Sequence, residues 1–356
     1  MKILFIIHNM YVGGAAKQLG LTAAGLTNRG HDVSLYTYIG NSLEHQIDPR
    51  ITYIAETAPP KSRLVNLFLT PIHIRRIVKS RKPDVVISWG TDAGGLTVLG
   101  CSGLPVKVVF SERLDPYHEK TLNLRLMKIL CGFSDGGVFQ TSMVKDYYSR
   151  IKKSIVCPNP IDPKTSNGAY LPISDRTKEI SWVGRMINIH KRMDVAVKAF
   201  SIIHAQYPDY VLSFYGDGPD MKVTRELVSK YGLDNSVIFH GTTNNVMEYI
   251  RKARVSLMTS DFEGIPNVII ESFSAGTPVV STDCSPGGAR VLIRDTYNGF
   301  VVPVGDYNSL AKRVVELLSD DKLSDVFITR SKDKLNDLNY DKILDAWNEF
   351  IITMVK

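Results

Sequence analysis

The chain has 356 residues, of which 44% are apolar and 22% are charged, with a formal net charge of +7. This length predicts two domains, and the composition excludes a disordered or fibrous protein. No run of about 18 apolar residues occurs, which excludes a predicted membrane-spanning helix.

In the first half, short β-branched runs alternate with helical patterns. The predicted strands are 2–7, 32–37, 84–88, 106–110 and 137–140, and the predicted helices are 14–29 and 66–81. The apolar N-terminal run stops at His8, which favours a buried strand over a signal peptide. Such alternation indicates a parallel sheet with helices on both faces.

The same rhythm follows a connector that carries prolines at 158, 160 and 163. The predicted strands are 179–183, 210–215, 236–240, 255–258 and 277–281, and the predicted helices are 192–206, 243–252 and 307–318. We therefore predict two doubly wound, Rossmann-like α/β domains that face a central cleft, with boundaries at 1–158 and 159–338. A ligand is expected at the carboxyl ends of their strands.

The four cysteines lie far apart in sequence and form no CxxC motif. This pattern disfavours a zinc site and indicates a reduced cytoplasmic protein with buried thiols.

Two glutamates flank the start of a predicted helix over 266–275. Pro266 suits the first helical position, Glu263 precedes it, and Glu271 follows about 7 to 8 Å along the axis. The positive end of the helix favours an anion such as a diphosphate. A nucleotide sugar, with hydroxyl pairs on both sides of its diphosphate, fits this arrangement. The alternative is a turn residue and a solvated helix residue.

Cations and glycines follow other predicted strands. Gly184 and Arg185 end one strand, and Lys191 and Arg192 begin the next helix, which suits a phosphate clamp or a surface helix cap. Gly216, Gly218 and His240 lie at further strand ends, where they suit either a base pocket or ordinary turns.

These motifs together resemble the family 4 retaining glycosyltransferases of GT-B fold, which carry an EX7E motif, and in particular members that build bacterial surface polysaccharides. The resemblance rests on Glu263 to Glu271, Val183 to Arg185 with Lys191, Gly216 to Pro219, Ala275 to Pro278, Pro158 to Asp162, and Gly13 to Ala15. It implies that a final helix over 339–356 returns to the N-terminal domain.

The resemblance also implies roles for individual residues. Arg185 and Lys191 would neutralise the leaving diphosphate, Glu263 would hold the donor sugar, and all three are the predicted catalytic residues. Glu271 would hold the ribose. The other predicted donor-binding residues are Gly13, Gly14, Gly184, Gly216, Gly218, His240, Gly264, Ile265, Pro266, Asn267 and Val268. No metal is expected, and no cofactor beyond the nucleotide sugar.

The chain departs from the family pattern in two places. One extra residue separates Arg185 from Lys191, and Arg192 stands where a glycine often follows the lysine, so either Lys191 or Arg192 can be the phosphate contact. In place of the N-domain histidine of many relatives, we assign Glu112 and Arg113 to the acceptor side. Their alternative is an internal ion pair. His8, His118 and His190 are expected to be structural or solvated.

Positive charge is concentrated in residues 1–158, which hold 20 Lys and Arg against 11 Asp and Glu. A predicted helix over 64–82 combines apolar side chains with five cations, as interfacial helices do. We expect it to bind the anionic inner face of the cell membrane; the alternative is an ordinary amphipathic helix with a solvated face. No nucleic-acid-binding module is present.

The sequence thus predicts a retaining, metal-independent glycosyltransferase that moves a hexose or N-acetylhexosamine from a UDP-sugar. The acceptor would be a glycan or lipid-linked glycan, at the cytoplasmic face of the membrane, in envelope polysaccharide synthesis such as that of O-antigen. Two alternatives stay open: a nucleotide-sugar epimerase on the same fold, and a non-catalytic sugar-nucleotide-binding partner of a transferase.

Overall fold

The chain divides into two units, each built around one parallel sheet. The structure is a computed structural model that describes residues 1–11, 13–40, 47–56, 63–118, 121–165 and 170–356. One unit comprises Met1–Pro160 with Tyr340–Lys356, and the other comprises Ile161–Asn339. The sequence places the boundaries after residues 158 and 338, and the structure has them two residues and one residue later.

Strands and helices alternate through most of the first unit. The strands are β1 (Lys2–Ile7), β2 (Asp32–Thr37), β3 (Thr52–Ala55), β4 (Val85–Trp89), β5 (Lys107–Ser111), β6 (Gly136–Phe139) and β7 (Ser154–Val156). The helices are α1 (Gly14–Asn28), α2 (Arg63–Arg81), α3 (Thr91–Cys101), α4 (Leu122–Cys131) and α5 (Ser142–Tyr147). The strand order is β3-β2-β1-β4-β5-β6-β7, and all neighbours are parallel.

The second unit repeats this plan. Its strands are β8 (Glu179–Val183), β9 (Val211–Tyr215), β10 (Val237–Gly241), β11 (Val255–Met258), β12 (Val279–Thr282) and β13 (Phe300–Val302), in the order β10-β9-β8-β11-β12-β13. Its helices are α6 (Asn188–Lys191), α7 (Met193–Gln206), α8 (Met221–Lys230), α9 (Val246–Lys252), α10 (Asn267–Ala275), α11 (Gly288–Leu292), α12 (Tyr307–Ser319) and α13 (Asp321–Asp337). The chain then returns to the first unit as α14 (Tyr340–Val355).

Successive residues of the central strands face opposite helix layers, because side chains alternate along a strand. In β1, Phe5 packs in one core with α1 and α14, whereas Leu4 and Ile6 pack in a second core with α2, α3 and α4. In β8, Trp182 packs with α7 and α12. Burial on both faces explains why these strands read as nearly continuous apolar runs.

The cysteines take part in this packing. All four, at 101, 131, 157 and 284, are buried and free.

Each sheet changes its direction of strand order at one place. In the first unit this place lies between β1 and β4, and in the second unit it lies between β8 and β11. The predicted fold class of two doubly wound α/β domains is therefore confirmed. In such sheets a ligand binds outside the carboxyl ends of the strands at this switch point.

No helix in the described part of the chain is both long enough and apolar enough to span a bilayer.

Candidate functional site

Helix α10 follows β11 at the switch point of the second sheet. Pro266 occupies the N-cap position of α10, with φ of −71° and ψ of 105°. The sequence places Pro266 at the first helical position, and in the structure that position belongs to Asn267. The Pro266 carbonyl accepts a hydrogen bond from the Ile269 N–H at 3.1 Å. Glu271 lies four residues after the helix start, about 6 Å along the axis, and its side chain is partly exposed.

The Glu263 carboxylate lies in the loop before α10, with 12% of its side chain exposed. Its Oε1 accepts hydrogen bonds from Lys191 Nζ and, at 2.8 Å, from Ser260 Oγ, and His190 Nε2 is 3.5 Å away. Burial raises the pKa of Glu263, but the charges of Lys191 and His190 and the two hydrogen bonds outweigh burial and lower it. The carboxylate is therefore ionised at neutral pH.

Hydrogen bonds to the carbonyls of Lys191 and His190 bring this pair together. The Thr259 hydroxyl donates to the Lys191 carbonyl at 2.7 Å, and the Asp261 N–H donates to the His190 carbonyl at 3.0 Å. Because Lys191 follows β8 and Glu263 follows β11, these bonds join the loops on both sides of the switch point.

Arg185 and Arg192 have different surroundings. Arg185 is exposed after β8, and its guanidinium makes no hydrogen bond or ion pair with any residue that the structure describes. Arg192 instead pairs with Asp194 and Asp261. Of the two residues that the sequence offers for the clamp, Lys191 is the one that contacts Glu263.

Close backbone packing requires glycine at two of the predicted donor-binding positions. Gly216 has φ of 136°, and a Cβ there would lie 2.0 Å from the Gly184 carbonyl oxygen. A Cβ on Gly218 would lie 2.4 Å from the Met186 carbonyl oxygen. These glycines allow the loops after β8 and β9 to touch backbone to backbone, whatever ligand binds there.

The remaining donor-side residues fall into two groups. Gly184, Gly264, Asn267 and Val268 lie on the same two loops as Lys191 and Glu263 or on the first turn of α10. Ile265 lies on the same loop but is buried in a core cluster, so only its backbone is available to a ligand.

The donor-binding role of His240 stays a prediction. His240 lies one residue before the end of β10, which β9 separates from β8, and its ring stacks on Tyr215 with centroids 4.4 Å apart.

In the first unit, Gly13 and Gly14 stand at the start of α1, which follows β1 at the switch point. A Cβ on Gly13 would meet nothing within 4 Å. Packing within the protein therefore does not require glycine at Gly13, and its donor-binding role stays a prediction.

Glu112 and Arg113 are buried, with 1% and 7% of each residue exposed. Glu112 accepts hydrogen bonds from Thr91 Oγ1 at 2.5 Å and Tyr148 Oη at 2.9 Å. The Arg113 guanidinium lies 3.6 Å from the centroid of the Trp89 ring. The Arg113 N–H donates to Glu112 Oε1 at 2.9 Å, but no ion pair between the two side chains is among the contacts of the described residues. Their acceptor-side role stays a prediction.

Sequence reasoning missed three residues of this site. Ser260 holds the Glu263 carboxylate, and His190, expected to be structural or solvated, lies beside it with its ring stacked on Phe262 at 4.2 Å. A Cβ on Gly288 would lie 1.9 Å from the Gly264 carbonyl oxygen. A turn signal, Pro286 followed by two glycines, marks that position in the sequence.

Comparisons with known proteins agree with this arrangement. Residues 12–165 match the family model described as Glycosyltransferase Family 4, and residues 168–334 match the one described as Glycosyl transferases group 1. An uncharacterized glycosyltransferase of Haemophilus influenzae is 26% identical over 97% of this chain and 98% of its own length.

One further relative and one solved structure carry names that state what those proteins act on or bind. The GalNAc-alpha-(1->4)-GalNAc-alpha-(1->3)-diNAcBac-PP-undecaprenol alpha-1,4-N-acetyl-D-galactosaminyltransferase of Campylobacter jejuni is 25% identical, covering 99% of this chain and 98% of its own. The crystal structure of HepE from Anabaena in complex with UDP-glucose has a TM-score of 0.84 at 17% identity, covering 99% of this chain and 100% of its own.

The two family models together span nearly the whole chain, and the similarity to HepE extends over the entire fold. The chain therefore belongs to the family 4 glycosyltransferases and has the GT-B fold.

Proposed function

We propose that this glycosyltransferase moves a hexose or N-acetylhexosamine from a UDP-sugar to a glycan of the bacterial envelope. The observation that carries the proposal is the Lys191–Glu263 contact at the switch point of the second sheet. Arg185 follows the same strand as Lys191, and its guanidinium has no partner among the described residues. The UDP-glucose in the HepE complex supports a uridine donor. The name of the Campylobacter relative supports a glycan acceptor linked to a lipid diphosphate.

The cations would stabilise the charge that forms during transfer. When the bond between the anomeric carbon and the phosphate oxygen breaks, negative charge develops on the diphosphate. Arg185 and Lys191 would hold that charge, and the N–H groups at the start of α10 would add to the same potential. Fixed charges that favour the leaving diphosphate more than the intact donor lower the barrier.

Glu263 is suited to hold the donor sugar. Its low pKa keeps it ionised, so it accepts hydrogen bonds from sugar hydroxyls and does not act as a proton donor. Glu271, one turn into α10, would accept from the ribose hydroxyls. Retention would follow from attack on the face that the nucleotide leaves, inside a short-lived ion pair, with the acceptor proton passing to the leaving phosphate.

We propose that the transfer needs no metal ion. Asp261 and Glu263 have the spacing of a metal-binding DxD motif, but each already has a cationic partner. Both carboxylate oxygens of Asp261 accept from Arg192 at 3.0 Å, and Glu263 accepts from Lys191. Arg185 and Lys191 would instead neutralise the charge of the diphosphate.

A panel of nucleotides tests the donor class by thermal unfolding. We expect UDP and at least one UDP-sugar to raise the melting temperature, since a ligand that binds only the folded state stabilises it. Lys191→Ala or Glu271→Ala should abolish the shift. A shift with GDP and none with UDP would overturn the uridine assignment.

Incubation with the donor distinguishes the alternatives. Release of UDP in the presence of an acceptor supports transfer. Conversion of the donor sugar without an acceptor, seen by NMR, would indicate an epimerase, and binding without either reaction would indicate a non-catalytic partner.

We also propose that the first unit binds an anionic membrane surface. In α2, Phe68, Leu69 and Ile72 are exposed, with Phe68 at 69%, and Arg76 and Lys79 continue the same face one and two turns later. The sequence of α2 contains no Asp or Glu. This surface carries apolar side chains beside cations, as interfacial helices do.

Helix α4, which sequence reasoning did not single out, adds a second such face to the same helix layer. Leu122, Leu126 and Ile129 are exposed, with Leu122 at 83%, and Arg125 lies among them. This helix also contains no Asp or Glu. Both helices pack against α3 on one side of the sheet, so their exposed faces can meet one lipid surface.

Flotation with phosphatidylcholine vesicles, with and without phosphatidylglycerol, measures this binding. Each cation contributes about 1 kcal/mol near an anionic surface, so the double variant Arg76→Glu/Lys79→Glu should lower partitioning by about thirtyfold or more. Leu122→Ser should weaken binding as well, and the matched Val223→Ser, on an exposed site of α8, should not. Equal flotation with neutral and anionic vesicles would contradict binding to an anionic membrane surface.

A further inference from the structure

Arg192 has a backbone conformation that favours glycine. Its φ of 51° and ψ of 53° place it in the left-handed region, at the junction of α6 and α7. Side chains other than those of Gly, Asn and Asp rarely adopt this conformation. The backbone shape at this position therefore suits glycine, although the residue is arginine.

The Arg192 side chain forms two forked ion pairs. Its Nη1 lies 3.0 Å from both carboxylate oxygens of Asp261, while Nε and Nη2 lie 2.9 and 3.2 Å from the oxygens of Asp194. All three side chains are at least 70% buried. Forked, partly buried pairs of this kind are stronger and better oriented than exposed single contacts.

These ion pairs connect the two loops of the site. Arg192 directly follows Lys191, and Asp261 precedes Glu263 by two residues. The guanidinium therefore fixes the backbone that carries the lysine relative to the backbone that carries the glutamate. Without it, the two long side chains could still pair, but over a wider range of positions.

Arg192 is also poorly placed to hold a phosphate. All three of its nitrogen atoms already face the carboxylates of Asp194 and Asp261, and Lys198 also pairs with Asp194 at 3.1 Å. A diphosphate would have to displace an aspartate before it could bind.

We infer that Arg192 is a positioning residue. Through its ion pairs with Asp261 and Asp194, it fixes the position of Lys191 relative to Glu263. The inference rests on the proposed function in one respect, since it takes Lys191 and Glu263 to bind the donor. The strained conformation of Arg192 is then offset by the ion pairs, as is common where a site is held rigid.

The test compares UDP affinity and melting temperature for Arg192→Gly, Asp261→Asn, their double variant and Arg192→Lys. Glycine fits the left-handed conformation, so Arg192→Gly should leave the melting temperature within about 3 °C of the wild type. Its UDP affinity, measured by calorimetry, should still fall about tenfold. Asp261→Asn should cause a similar loss, the double variant no greater loss, and Arg192→Lys a smaller one.

Different results would overturn the inference. If Arg192 contacts phosphate directly, Asp261→Asn will release it and leave UDP affinity unchanged or higher. If its ion pairs are only local, Arg192→Gly will bind UDP as the wild type does.

A failure of the proposed function would look different from a failure of this inference. In that case the wild type would bind no nucleotide of the panel. The coupling of Arg192 to Asp261 would then be measured from the melting temperatures of the unliganded wild type, Arg192→Gly, Asp261→Asn and their double variant. Additive effects of the two substitutions on the melting temperature would contradict the coupling.

Discussion

Replacing Lys191 with alanine is expected to lower kcat/KM for glycosyl transfer by about a thousandfold. The substitution removes a cation from the leaving diphosphate and leaves the largely buried Glu263 without its lysine partner. The pKa of Glu263 should then rise relative to the wild type, because the charge and the hydrogen bond of Lys191 no longer offset burial. Steady-state release of UDP, measured over a range of donor concentrations, gives the value.

The same substitution should change how stability depends on pH. In the wild type the pKa of Glu263 is lowered, so its contribution to stability is present above the ordinary glutamate pKa and is lost as pH falls. In Lys191→Ala that contribution should be smaller, because only His190 and Ser260 remain to offset burial. The difference in melting temperature between the two proteins should therefore be larger at about pH 8 than at about pH 4.

Lys252 provides a matched control for the activity. It pairs with Glu248 on α9, where both side chains are about half exposed, and such pairs contribute little. Lys252→Ala should keep kcat/KM within about twofold of the wild type. If Lys191→Ala also stays close to the wild-type value, Lys191 does not hold the diphosphate.

Gly288→Ala is expected to destabilise the second unit by about 3 kcal/mol, which corresponds to a fall in melting temperature of about 6 to 12 °C. The new methyl group would lie 1.9 Å from the Gly264 carbonyl oxygen and 2.9 Å from its carbon. Both are backbone atoms, so the clash cannot be relieved by a side-chain rotation. Thermal unfolding followed by circular dichroism measures the effect.

Gly184→Ala is the control, because the same methyl group there meets only ordinary contacts. Its Cβ would lie 3.4 Å from the Trp182 ring and 3.6 Å from Lys191 Cε. Its melting temperature should stay within about 4 °C of the wild type. Equal melting temperatures for the Gly288→Ala and Gly184→Ala proteins would show that the loop near Gly264 yields easily.

The central strands could be predicted closely from the sequence, and three outer strands could not. β1, β2, β8 and β11 have the predicted bounds because they are apolar on both faces. The missed strands, β3, β7 and β13, have four, three and three residues, and each lies at an edge of its sheet. Runs that short show no clear period, so pattern alone does not identify them.

The site was predictable by residue type but not by pairing. The sequence assigns Glu263 to a sugar and Lys191 to a diphosphate, and it does not indicate that the two side chains share a hydrogen bond. That contact depends on the loops after β8 and β11, whose approach needs backbone bonds between distant residues. Which of Lys191 and Arg192 contacts Glu263 likewise depends on how the backbone turns after α6, which spacing does not reveal.

Helix α14 has a consequence for how the protein is made. Trp347 of this helix stacks on Trp89 with ring centroids 5.8 Å apart, and six of its residues line the same core as β1. During synthesis, residues 1–160 emerge from the ribosome long before the segment that completes their core. Residues 161–339, in contrast, form one uninterrupted stretch. They can fold while the first unit still lacks its final helix.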